Sequence, residues 1–467
     1  MATRREMIGN KPVGMLAQTI LDAYRCPPEL VDLATTEDFL GDAGFFKFGP
    51  EAVCYGAAQT GKTKNKCRDL TDLIDSVEFS GSKIKLPFNP SEIVENLRLE
   101  RYPGTRHSRL NALARKSYYR LRPLLHDSIR RQIQKYQLRG WRGQDFPAWP
   151  VDFNVEKIHQ CLLSLAMQAK GIDRIPFIWF WPGRHEACVA MTHDVERREG
   201  LEFCDDLMDL DDGHGIKASF QFVPRGSYKL SPALLSRVRN RGFEVGLQDF
   251  SHDGRLYDDY KEFLRRAEII NQCAREYGAR GFRSAVLYRR PEWFEAFEFS
   301  FDMSIPNTAR LDPQRGGCCT VFPYFIGNIL ELPVTTVQDY MLFTLIGEKS
   351  IDLWKTQIDS IVNQKGLVSF IVHPDYLLDG EVKALYQQLL SHLGEIRASK
   401  NLWFAIPSEI DNWWRQRSKL HLVSDGENWT IEGEGADRAV VAYARQVSGN
   451  LVYEFGSQLR HASANES

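Results

Sequence analysis

From about residue 185 onward, short apolar runs alternate with longer segments whose apolar positions recur at helical spacing. The runs read ACVAMTHDV, KASFQFV, FEVGLQDF, GFRSAVL, NILELPVT, GLVSFIVHP and LWFAIP. Between them stand LEFCDDLMDLDD, SPALLSRVRNRG, YKEFLRRAEIINQCAREYG, WFEAFEF, IDLWKTQIDSIV and VKALYQQLLSHLGEI. A short run that is apolar on both faces describes a strand covered from both sides. Strands that alternate with helices make βαβ units around a parallel sheet. Six or seven such units in about 230 residues suit a closed or nearly closed barrel better than an open sheet. The pattern therefore predicts an α/β fold, a distorted (β/α)7-type barrel over residues 176–417.

The flanks are less regular. Residues 1–175 read as a mixed, mostly helical region whose pattern assigns it no role. In it, Asn89-Pro-Ser-Glu-Ile-Val-Glu-Asn-Leu has the Pro and Ser start of a helix, and Arg109 to Gln137 reads as one or two amphipathic helices. Residues 418–467 hold the short alternating stretches KLHLV, WTIEG, AVVAYAR and NLVYEF, a small β appendage with a polar tail.

Composition narrows the picture. The 467 residues are 43% hydrophobic and 26% charged, the balance of an ordinary soluble protein. A net charge of −2 offers no basic field for nucleic acid. No apolar run is long enough to cross a bilayer, and the basic N-terminus MATRREMIGNKPVG lacks the apolar stretch of a secretory leader. Nine cysteines without framework spacing fit a reducing compartment, so a cytoplasmic location is expected. The adjacent Cys318–Cys319 pair has no second pair to complete a zinc site and reads as loop packing.

In parallel barrels the reactive groups stand at the C-terminal ends of the strands. Here the first run finishes Thr192-His193-Asp194-Val195-Glu196, which sets Asp194 and Glu196 on one face and His193 on the other. The third ends in Gln248-Asp249-Phe250-Ser251-His252-Asp253. The fourth begins with Arg283, and the late run GLVSFIV leads into His373-Pro374-Asp375-Tyr376. His193, on the opposite face, is expected to be a packed, hydrogen-bonded residue. Trp179, Phe180 and Trp181 read as core or lip packing, with a sugar-stacking platform as the alternative. Asp302 and Asp339 are placed to support the site from behind.

This order of residues resembles the polysaccharide deacetylases, the NodB-like carbohydrate esterases of family four, over about residues 185–415. The resemblance implies Asp194 as catalytic base, His373 as catalytic acid and Arg283 as the arginine that tethers the base. It implies a divalent metal of the zinc class held by Glu196 and His252, with Gln248 at the family's first metal histidine. It also implies a small-molecule or carbohydrate substrate whose acyl group is removed by hydrolysis of an amide-type C–N bond. Such a metal activates water and polarises the carbonyl, while an acid and a base move the protons. An arginine beside Asp194 favours its ionised form.

Gln248 departs from the family pattern, because a neutral amide oxygen is a weak donor poorly suited to zinc. It leaves open a harder metal, metal-independent hydrolysis of the allantoinase or cyclic-imidase kind, or a carbohydrate-binding site without catalysis. One further motif stands apart. Gly56-Ala57-Ala58-Gln59-Thr60-Gly61-Lys62-Thr63 matches the phosphate-loop pattern, yet neither a buried strand before it nor a helix after it is expected. The Gly-rich stretch Asp312-Pro-Gln-Arg-Gly-Gly-Cys-Cys-Thr is expected to line the pocket or to make a tight turn.

Overall fold

A computed structural model describes residues 16–36, 41–104, 126–426 and 428–456. The tail HASANES and most of Arg109–Gln137 lie outside the described residues. The central sheet holds nine strands: β1 (Ala187–Val195), β2 (Ala218–Phe222), β3 (Glu244–Gln248), β4 (Gly281–Arg283), β5 (Phe301–Asp302), β6 (Tyr324–Ile326), β7 (Ile329–Glu331), β8 (Leu367–Val372) and β9 (Leu402–Phe404). Their spatial order is β6-β7-β5-β4-β3-β2-β1-β8, with β9 also paired to β1. All pairs are parallel except the β6–β7 hairpin. Helices such as Pro232–Asn240, Tyr260–Tyr277, Asp352–Asn363 and Gly380–Ser399 carry the chain back between strands. The fold is the distorted (β/α) barrel that the alternation predicts.

The distortion has a local cause. Between β8 and the β5–β7 edge there is no continuous ladder; the segment Val334–Thr336 fills the seam. Thr335 Oγ1 donates to Leu367 O at 2.8 Å, and Thr336 Oγ1 donates to Ser369 O at 2.7 Å. On its other side Val334 N donates to Ile305 O at 3.0 Å. Threonine hydroxyls thus bond main-chain groups that a regular neighbouring strand would otherwise satisfy.

Two expectations need correction here. The run GFRSAVL is a strand only as far as Arg283; Ser284–Leu287 turns sharply, with Val286 and Leu287 at φ of 58° and 51°. Arg283 therefore ends its strand, where an active side chain of a barrel belongs. WFEAFEF lies in a 3-10 turn over Pro291–Ala296 and the extended residues after it, because Pro291 and four closely spaced aromatic rings pack locally instead of forming a helical stripe.

All nine residues of β1 are buried, as expected of a strand between a filled interior and outer helices. The interior nevertheless holds a polar layer. Gln221 Nε2 donates to Ser219 Oγ at 2.7 Å, which donates in turn to Glu244 Oε1 at 2.7 Å. Gly246 makes room for this layer, since a Cβ there would fall 2.2 Å from Gln221 Oε1.

The N-terminal region contains the helix Pro90–Arg98, whose cap Asn89 accepts from Ser91 N and Glu92 N. It also contains five short strands in two small sheets, which the sequence pattern does not announce. The phosphate-loop match begins at the end of one of them, Ala52–Ala57, an antiparallel hairpin strand. Among the described residues 58–73 forms no helix, so the helix N-terminus that would cradle phosphate is not there. The C-terminal strands Val441–Val447 and Asn450–Phe455 pair with each other and, through the first, with Arg174–Ile178. Trp179, Phe180 and Trp181 are buried beneath this junction; the indoles donate to His185 O and Lys365 O. No helix among the described residues is long and apolar enough to cross a membrane.

Candidate active site

The C-terminal ends of β1, β3, β4 and β8 surround a cavity of about 330 Å³, lined among others by Asp194, Glu196, Gln248, His252, Ser284 and His373. Sheet register explains the meeting. β1 carries Asp194 next to Gln221 of β2, and β3 carries Gln248 next to Arg283 of β4.

Asp194 is 3% exposed and is held on both oxygens. Arg283 Nη1 donates to Oδ1 at 2.7 Å, and Gln248 Nε2 donates to Oδ2 at 3.1 Å. Arg283 is itself fixed: Nη1 also donates to Thr192 Oγ1 at 2.7 Å and Nε to Met303 O at 3.0 Å. Thr192, two residues before Asp194 on the same face of the strand, thus helps to aim the guanidinium. Asp194 is no helix cap, because the next helix starts at Arg198 after Arg197.

Across the cavity, His373 follows the last residue of β8. Its Nδ1 lies 2.6 Å from Asp339 Oδ1, and its main-chain N–H donates to Asp339 Oδ2 at 2.8 Å. Burial disfavours the charged imidazole, but the Asp339 carboxylate, helped by Glu196 and Asp194, outweighs it and raises the His373 pKa to about 10. A pKa raised that far favours the imidazolium at neutral pH, its Nδ1–H donating to Asp339 Oδ1. Its Nε2 proton faces the cavity, where the nearest carboxylate oxygen, Glu196 Oε1, is 3.6 Å away.

Asp339 reaches this place as the residue before a π-helical turn, Tyr340–Ile346, and accepts from Tyr340 N. Tyr340 stacks on Tyr376 with ring centroids 4.9 Å apart, and its hydroxyl donates to Gln134 Oε1 at 2.6 Å. That bond ties the helix Asp127–Gln137 over the cavity, so Arg131 and Gln134 join its lining. Asp375 supports the opposite wall: Oδ2 accepts from Glu196 N and Oδ1 from Gly200 N, each at 3.2 Å. Helix 127–137 and Asp375 escape sequence reasoning as site residues; the acidic residue two after His373 was the available signal. The Gly-rich loop contributes Pro313 to the lining, while Cys318 and Cys319 are buried in packing.

His193 faces away from the cavity. Its Nε2 lies 2.8 Å from Asp211 Oδ2, whose other oxygen accepts from the Tyr386 hydroxyl. It belongs to a closed buried network, as its place on the opposite face of β1 implies.

The residues expected to hold a metal adopt another arrangement. Glu196 Oε1 is 2.8 Å from His252 Nε2, so the two candidate ligands contact each other directly. His252 and Asp249 sit in the loop after β3 with φ of 55° and 54°, left-handed values that side-chain-bearing residues seldom adopt. Gln248 turns its amide NH₂ to Asp194. A catalytic zinc-class ion takes three protein donors and keeps an open position. Among the described residues no group of three or more His, Cys, Asp and Glu side chains is placed to hold a metal ion. As arranged, Glu196, His252 and Gln248 do not fit a zinc-class ion.

No family model and no curated protein matches the sequence. Among solved structures the chain is similar to a Mycobacterium smegmatis protein assigned as a polysaccharide deacetylase, with 17% identity, 51% of this chain and 93% of the other covered, and a TM-score of 0.40. It is similar also to the allantoinase PuuE, at 15% identity, 50% and 92% coverage and a TM-score of 0.38. A third is the peptidoglycan deacetylase PdaC from Bacillus subtilis, at 15% identity, 50% and 94% coverage and a TM-score of 0.33.

Proposed function

We propose that this chain is a hydrolase of an amide-type C–N bond, removing an acyl group from an N-acylated amino sugar or a similarly polar small molecule. The observation that carries this reading is the facing of two supported groups across one cavity: Asp194 with Arg283 on one wall, His373 with Asp339 on the other. In the proposed reaction a water oxygen forms a bond to the acyl carbon while Asp194 takes the water proton. The imidazolium of His373 lies beside the charge that develops on the carbonyl oxygen. As the C–N bond breaks, its Nε2 proton passes to the leaving nitrogen, giving a carboxylic acid and an amine.

The Glu196–His252 contact and the Gln248 amide favour a reaction without a resident zinc-class ion, and no step here uses one. The test is release of acid and amine from a panel of N-acetylated amino sugars, cyclic imides and ureides, before and after exhaustive chelation. Turnover that survives chelation and falls by roughly 10²–10⁴ in Asp194→Asn and in His373→Ala is expected. Activity that chelation abolishes and zinc restores would overturn the metal-free form.

A second reading, sugar binding without turnover, is favoured by one observation. Gln248 occupies the Asp194 oxygen left over by Arg283. It predicts saturable sugar binding with no product from any member of the panel.

A further inference from the structure

A second cavity, of about 240 Å³, lies away from the strand-end site and shares no lining residue with it. Four parts of the chain converge on it. Asp22, Tyr24 and Arg25 come from the end of the helix Gln18–Tyr24, and Arg98 from the end of Pro90–Arg98. Glu156 and His159 come from Asn154–Lys170, and Trp414 and Arg417 from the last turn of Pro407–Arg417. Phe180, Phe322 and Tyr324 complete an aromatic wall.

Its charge is unusual. Three guanidinium groups line one small space, and among the described residues none of the three forms an ion pair. Arg25 donates to Leu420 O through Nε and Nη2. Arg417, 1% exposed, donates only to main-chain carbonyls: Nε to Trp179 O, Nη2 to Ala23 O and Ile178 O. Arg98 lies over the Tyr324 ring at 5.1 Å, and its Nε is buried without a hydrogen-bond partner. Two carboxylates also line the cavity: Asp22, which accepts from Gln18 Nε2 and attracts Arg25 and Arg98 without an ion pair to either, and the buried Glu156, whose pKa burial raises to about 7 and whose one engaged oxygen accepts from Thr320 Oγ1 and Val321 N. Arg417 is pushed down to about 9, first by burial and then by Arg25.

A buried cation with no counter-ion in direct contact is costly, and an unbonded buried donor adds to that cost. As a clip between chain segments Arg417 needs no neighbouring cations, so that role does not explain Arg98 and Arg25 on the same cavity. Guanidinium donors in a partly dry, aromatic-walled pocket are the setting in which carboxylates and phosphates bind by charge-assisted hydrogen bonds. Flat apolar groups stack on rings such as Phe180 and Trp414. We propose that this cavity is a second ligand site, which takes a small organic oxyanion, an anionic carboxylate or phosphate carried on a flat apolar body. Its existence does not depend on what the strand-end site does.

The test uses the full-length protein and calorimetric titration with benzoate, phenyl phosphate and inorganic phosphate, with benzyl alcohol as the uncharged control. Saturable binding of benzoate, phenyl phosphate or both is expected, the stronger of the two telling carboxylate from phosphate. Benzyl alcohol is expected to bind at least tenfold more weakly. Arg98→Gln and Arg25→Gln should each weaken the anion at least tenfold, whereas Asp194→Asn, in the other cavity, should leave it unchanged. Circular dichroism checks that each variant is folded; should Arg98→Gln fail that check, Arg25→Gln decides alone. The proposal is overturned if neither organic anion binds, if the folded arginine variants bind as the native chain does, or if Asp194→Asn abolishes binding.

Discussion

Asp339 grips His373 at two points, its Oδ1 on the ring Nδ1 and its Oδ2 on the main-chain N–H, and both residues are buried. One carboxylate therefore fixes the ring's orientation and favours its charged form. A hydrogen bond to the ring alone would leave the imidazole free to tilt; the second bond removes that freedom.

Removing the charge while keeping the shape tests this grip. In Asp339→Asn the strongest attraction that raises His373 is lost, and only the weaker pull of Glu196 and Asp194 is left against burial. If His373 gives its proton in the reaction, the alkaline limb of the pH–rate profile should move down by more than one pH unit. The rate at neutral pH should fall by roughly 10², as for loss of a general acid. A profile unchanged in shape would mean that His373 donates no proton in the rate-limiting step.

The same shift appears in stability. An unfolded histidine titrates near 6.5 and the folded His373 near 10, so its contribution is complete below about pH 6.5 and is lost as pH rises through 10. Urea unfolding of the native chain should show a loss on the order of a few kcal/mol between pH 6 and 10 that His373→Asn does not show. Equal slopes in the two proteins would contradict the raised value.

The Asp194–Arg283 pair is nearly dry, with side-chain exposures of 4% and 1%. Truncating one partner strands the other, so Arg283→Met should lower stability by about 3–5 kcal/mol and abolish turnover. Combining it with Asp194→Asn should cost much less than the sum of the two single changes, which chemical denaturation of the four proteins would measure.

Gln248→His restores a third imidazole-or-carboxylate donor next to Glu196 and His252. Zinc measured by elemental analysis after dialysis should be negligible in the native chain and close to stoichiometric in the variant. Equal zinc in both proteins would show that the native side chains rearrange to bind it.

His193 sits beside Asp194 in sequence, yet its bonds run to Asp211 and, more weakly, to Val372 O. Asp211→Asn should lower stability by roughly 2–4 kcal/mol, as expected for breaking a buried network, and leave kcat within about twofold of native. A large fall in kcat with unchanged stability would instead give this network a catalytic role.

Much of the barrel was legible because burial imposes a period on each element. β1, β2, β3 and β8 fall where apolar runs stand, and Asp194, Gln248, Arg283 and His373 fall at strand ends or one residue beyond. Short elements escaped. The two residues of β5 cannot show a period, three of the N-terminal strands run for only three or four residues, and the other two, AGFFKF and AVCYGA, make a hairpin closed on Gly49 and Pro50 with no helical segment between them to mark an alternation.

The sequence alone determined the alternating architecture, the burial of β1 and the chemical types at the strand ends, because each depends on neighbours within one element. Only the tertiary structure decided that Asp339 grips His373, that Glu196 meets His252, that helix 127–137 lies over the cavity, and that three arginines share a second one. Those contacts join residues far apart in the chain. Their distances depend on strand register and on how the barrel seam closes, and no local period encodes either.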